Sequence, residues 1–152
     1  MPLLNKSQEW EQRHWRLVFT DLKQAEIELT RENIPKIVKE MSFEVRSRKH
    51  PDKEHCWNYV GTEPTPCHPG VKNLNCLLCA CPQYDSMTET GSCKINSKFA
   101  KYISTHLTSS NRILDCSDCN LYHSPNTIVR FLERNINELK EMSETLLNPD
   151  YL

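Results

Sequence analysis

Asn75-Cys76-Leu77-Leu78-Cys79-Ala80-Cys81-Pro82 is the stretch from which the rest of the chain is read. Three cysteines fall within six residues there, in a C-x2-C-x-C arrangement. The chain has 152 residues and 8 cysteines, and all of them lie between Cys56 and Cys119. Thiols this dense need a reason other than core packing. In a reducing compartment they serve as metal ligands or redox groups, whereas a secreted chain would make them a disulfide framework. A second C-x2-C pair, Cys116 and Cys119, lies downstream. This spacing lets two thiolates from one tight turn meet one ion, and two such pairs form the halves of a tetrahedral zinc site.

Pairing Cys76 and Cys79 with Cys116 and Cys119 therefore gives a first expected site. Cys81 is offset by one residue and starts a second, with Cys56, Cys67 or His68, Cys93 and His123 as its candidates. These ten side chains exceed the eight ligands that two closed tetrahedral sites need, so two zinc ions are expected. An iron–sulfur cluster is the alternative, but the run does not match the regular ferredoxin spacing and the nearby histidines suit zinc better.

Outward from the cysteines the pattern turns helical. Leu17, Val18, Leu22, Ala25 and Leu29 recur at helical spacing after Ser7, which predicts a helix over 7–29 capped by that serine. Asn33 and Pro35 open a second, with Ile34, Ile37, Val38, Met41 and Val45 as its stripe. His50-Pro51-Asp52 is the tripeptide of J-domain co-chaperones. The cysteine region begins where their third helix would run, so it reads as a turn. Residues 55–123 are loop-like, with a short helix expected over 97–107 (Phe99, Tyr102, Ile103, Leu107) and an extended run at Arg112. Ser124-Pro125 opens the clearest helix, with Ile128, Phe131, Leu132, Ile136, Leu139, Met142 and Leu146 on one face. The expected fold is mainly α with a loop-rich, metal-stabilised cysteine-rich insert, a small irregular zinc-binding fold. Its expected segments are an N-terminal helical hairpin (1–53), a cysteine-rich metal-binding domain (54–124) and a C-terminal helix packing on the hairpin (125–152).

The ordered motifs also resemble a known family. Pro66-Cys67-His68, Asn75 through Tyr84, Cys93, and Asp115 through His123 are similar to the cysteine-rich small domain family, a zinc-finger-like group. The likeness covers roughly residues 54 to 130. Ten residues, Trp57 to Pro66, separate Cys56 from Cys67 where the family has only a few, and Gly91-Ser92-Cys93-Lys94 departs from its glycines after the cysteine. The resemblance implies a metal-binding module, found alone or attached to other domains, including some cobalamin-pathway proteins, with no settled catalytic activity.

Composition narrows the function further. Net charge is −1, with 19 basic and 20 acidic side chains. Residues 55–123 carry five of each sign, and eight thiolates with two divalent ions add about −4, a poor surface for phosphates. Nucleic acid is therefore not an expected partner, despite the basic cluster of Arg46, Arg48, Lys49 and Lys53. No apolar run suits a secretory leader or approaches the ~20 residues of a membrane span, so a cytoplasmic protein is expected. The expected role is that of an accessory metal-binding protein with a protein partner. The alternative is a small metalloenzyme or thiol- or metal-transfer protein in a biosynthetic pathway. It would have an open site on Cys81, Cys93 and His68 or His123, with Asp115, Asp118 or Glu63 as base, or would use Cys56 and Cys67 as the transfer thiols.

Overall fold

A computed structural model describes residues 3–50, 58–60, 63–65, 70–106, 108–116 and 119–151. Helix α1 spans Lys6–Gln24. Asn5 caps it, accepting from the Gln8 N–H at 2.9 Å while the Gln8 side chain accepts from the Asn5 N–H at 3.1 Å, a reciprocal capping box. The expected cap, Ser7, instead donates its hydroxyl to the Glu89 carbonyl at 3.1 Å. The helix ends in a Schellman turn. Glu26 takes a positive φ of 57°, its N–H reaches the Lys23 carbonyl, and the Ile27 N–H reaches that of Leu22.

After a 3-10 turn at Arg31–Asn33, α2 spans Ile34–Glu40 with Pro35 in its first turn. The chain then breaks at Met41-Ser42, where the Ser42 hydroxyl caps α3, Phe43–Lys49. The single stripe from Ile34 to Val45 is therefore two short helices. Asp21 Oδ2 ties α1 to α3, accepting from Arg46 Nη1 at 2.7 Å and from His50 Nε2 at 2.6 Å. Helix α4, Pro125–Leu146, begins at the Ser124 cap and packs on α1 and α2. Val18, Leu22, Ile37, Met41, Ile128, Leu132 and Ile136 form the centre of their shared core.

Between α3 and α4 lie three antiparallel hairpins: β1 (Asn58–Val60) with β2 (Glu63–Thr65), β3 (Tyr84–Asp85) with β4 (Ser92–Cys93), and β5 (Lys101–Ser104) with β6 (Arg112–Asp115). These strands correct the mainly α expectation. The expected helix over 97–107 is replaced by β5, whose residues Lys101 to Ser104 pair with Asp115 to Arg112. Phe99, Tyr102 and Ile103 fit a helical stripe, but in so short a run cross-strand pairing decides the outcome. The metal-stabilised, irregular zinc-binding fold is corrected too. Among the described residues no three or more His, Cys, Asp or Glu side chains are assembled closely enough to hold a metal ion. Nor, among them, is any helix long and apolar enough to cross a membrane.

The Asn75–Pro82 stretch is the seam between helices and hairpins. Helix α2 ends with carbonyls that have no partner further along the helix. Asn75 Nδ2 donates to that of Val38 at 2.8 Å, and the Cys76 N–H to that of Met41 at 2.8 Å. The Asn75 N–H donates to the His123 carbonyl at 2.8 Å, just before the α4 cap. Asn75 Oδ1 accepts from the Leu77 N–H at 3.0 Å, so this 1% exposed side chain has its polar groups satisfied. The 3-10 turn Leu77–Cys79 then drives Leu77 and Leu78 into the helical core.

Candidate functional site

Three turns headed by cysteines meet beyond this seam. In the first, the Tyr84 N–H closes on the Cys81 carbonyl at 3.0 Å, and the Gln83 N–H donates to Cys81 Sγ at 3.4 Å. In the second, the Asn96 N–H closes on the Cys93 carbonyl at 3.1 Å, and the Ser97 N–H donates to Cys93 Sγ at 3.4 Å. Asn96 takes a φ of 49° there, a conformation that asparagine tolerates better than most residues. In the third, the Cys119 N–H closes on the Cys116 carbonyl at 2.9 Å.

The hairpins bring these turns together. Tyr84 pairs with Cys93 across β3 and β4, which sets the first two turns side by side. The Leu114 N–H of β6 donates to the Thr90 carbonyl at 2.8 Å, which carries Cys116 toward them. Ser97 joins the second turn to the third, its Oγ lying 3.6 Å from Cys119 Sγ.

Electrostatics report the same convergence. Burial pushes the Cys116 thiol up to about 12, and negative charge on Cys81, Cys119, Cys93 and Asp115 adds to the shift. Burial also raises Cys81, with further contributions from Cys119 and Cys93, against the N–H groups of Gln83 and Tyr84, which favour its thiolate. Ionisation of Cys81 or Cys116 is thus opposed both by burial and by charge on neighbouring thiols.

These four, with Cys79 and His123, line one side of a cavity of about 620 Å³. His123 is buried, and its Nδ1 lies 3.3 Å from the Asn75 carbonyl. Because a carbonyl only accepts, Nδ1 is the donor in this contact. Cys76 does not line the cavity and is buried at 3% exposure beside the helical core. The structure thus places Cys116 and Cys119 with Cys81 and Cys93. Cys56, Cys67 and His68 lie outside the described residues, as do Asp118, Leu107 and the Pro51-Asp52 half of the His50 tripeptide; of Glu63, only the backbone is described.

The opposite side comes from α1, which the cysteine spacing does not reveal. Trp10 and Glu11 face the cavity there, with Ser7 a turn earlier. The signal was present in the helical period: Ser7 and Glu11 continue the Val18, Leu22 face toward the N-terminus of α1, with Trp10 beside it. The Trp10 ring stacks on His14 at 5.6 Å, and His14 Nε2 donates to the Leu77 carbonyl at 2.8 Å, fixing α1 to the seam. Asn5 Nδ2 donates to the Ser86 carbonyl at 2.7 Å, so the first turn of α1 is pinned to the β3–β4 loop.

A scan against protein-family models gives no match, and neither the curated proteins nor the solved structures contain one. The likeness to the cysteine-rich small domain family therefore rests on the motifs alone.

Proposed function

We propose that the protein is a cytosolic zinc-binding protein with an accessory role toward a protein partner. The observation that supports this reading is that Cys81, Cys93, Cys116 and Cys119 line one cavity, with N–H groups aimed at the sulfurs of Cys81 and Cys93. A metal would have to draw them closer, since among the described residues no three such side chains are near enough to hold an ion. Thiolate is the ligand zinc prefers in closed four-coordinate sites, and N–H donors to sulfur spread the charge that builds up there. Binding would require a metal to displace the thiol protons to solvent, which the raised Cys81 and Cys116 groups resist, so affinity would rise with pH. The Asp115 carboxylate adds negative charge beside Cys116 and favours a cation. A second ion would draw on Cys56, Cys67 and His68, with Cys79 and His123 on the cavity side.

The cavity favours a second reading, a metal with an open position toward a bound small molecule, as in a small metalloenzyme. Cobalt(II) substitution tests both. Intense thiolate-to-cobalt absorption with a tetrahedral ligand-field band, lost on replacing Cys93 or Cys116 by serine, supports metal binding at this group. Absence of both bands contradicts it. A cobalt spectrum that changes when small ligands such as cyanide or azide are added favours the open site, and an unchanged spectrum the closed one. A brown protein containing iron overturns the zinc assignment.

A further inference from the structure

The cavity has a second wall with chemistry of its own. Glu11 lies on it half-buried, and among the described residues it makes no ion pair. Its one hydrogen bond there comes from the Ser86 hydroxyl, at 3.0 Å. Burial raises its carboxyl, against the Ser86 bond and the more distant Lys94. The rings of Trp10, Tyr84 and Tyr122 line the same cavity, with Leu114 and Leu121 adding apolar surface. The ring positions are held. Gln83 Nε2 donates to Tyr122 Oη at 3.1 Å, and Tyr84 packs so closely on Gly91 that a β-carbon there would fall 2.1 Å from its hydroxyl.

The other charges at the cavity do not change its sign. Lys6 pairs with Glu9 at 3.7 Å, and Arg13 is exposed at the rim. The thiol wall and Asp115 add only negative charge when ionised. The N-terminus of α1 offers little to an anion, because Asn5 and Gln8 close its first turn on each other. Aromatic faces beside a desolvated, unpaired carboxylate form the environment that recognises organic ammonium groups. A volume near 620 Å³ lies in the range of small-molecule sites.

We propose that the cavity between α1 and the β3–β6 hairpins binds a small organic cation, with an ammonium group facing Glu11 and an apolar or aromatic body against Trp10, Tyr84 and Tyr122. This site does not depend on a metal at the thiols, so it stands or falls separately from the zinc reading.

The probe is benzyltrimethylammonium, titrated against the full chain by calorimetry and by tryptophan fluorescence, with benzenesulfonate as the anion of similar body. The expected result is saturable one-to-one binding of the cation, with at least tenfold weaker binding of the anion. Glu11→Gln keeps the shape and the Ser86 contact, and is expected to weaken the cation about tenfold. Trp10→Leu is expected to weaken it further and to remove the fluorescence response, with circular dichroism confirming that both variants are folded. Equal or tighter binding of the anion, an unchanged affinity in folded Glu11→Gln, or no saturable binding overturns the proposal.

Discussion

Replacing Asn75 by alanine tests how the two halves of the molecule are joined. The side chain is almost wholly buried and makes two internal bonds, to the Val38 carbonyl at 2.8 Å and from the Leu77 N–H at 3.0 Å. Alanine leaves both backbone groups without this partner in a site that water does not reach. Each unsatisfied group costs about 1–3 kcal/mol, so the variant should lose about 4 kcal/mol. For a chain of this size that corresponds to a fall in Tm of about 8–16 °C. Urea unfolding followed by far-ultraviolet circular dichroism and by tryptophan fluorescence measures it. Native-state hydrogen exchange should show Leu77 and Cys76 amides losing protection before those at the centre of α4. A loss below about 1 kcal/mol, with Leu77 still protected, would refute the view that this asparagine fastens hairpins to helices.

Three further outcomes follow from the same physics. Arg46→Met leaves the buried Asp21 carboxylate with His50 alone and should cost about 3 kcal/mol or more, while the double variant Asp21→Leu, Arg46→Met should recover most of it; urea midpoints decide. Gly91→Ala places a methyl group against Tyr84 at a residue whose φ is 74°, and should cost about 2 kcal/mol while shifting the Tyr84 ring resonances in NMR spectra. For Glu11 the folded carboxyl lies above its unfolded value of 4.5, so between the two the folded state holds more protons and stability falls as pH rises. Glu11→Gln should therefore melt higher than the parent at pH 7 and equally near pH 4; a lower Tm at pH 7 with parity at pH 4 would reverse the sign.

The parts of this structure that could be read from the sequence are the local ones. Ser124-Pro125 announces α4 because a cap and a pre-set φ act within a single turn, and the break at Thr30 to Asn33 is marked by its own polar residues. Asn5 escaped notice because Ser7 is an equally good cap by type, and only the contact with Glu89, 82 residues away, takes its hydroxyl elsewhere. The hairpins were hidden for a related reason: Lys101 to Ser104 become a strand through pairing with Arg112 to Asp115. C-x2-C spacing says that Cys116 and Cys119 share a turn, but which thiols that turn meets is set by the β3–β4 register and by the Leu114 to Thr90 bond. The cysteine spacing makes Asn75–Pro82 the meeting point of two expected metal sites, whereas in the structure it joins helices to hairpins. Its cargo is different, because Cys76 turns toward the helices while Leu77 and Leu78 enter their core.

The most direct test of the central claim is the metal content of the native protein and of two variants, by elemental analysis after purification without oxygen. Zinc is predicted to accompany the native chain and folded Cys76→Ser, because Cys76 lies away from the thiol wall. It should be reduced by at least one ion per chain in Cys116→Ser. A native protein without zinc, or a Cys116→Ser variant that keeps its full complement, would contradict the account.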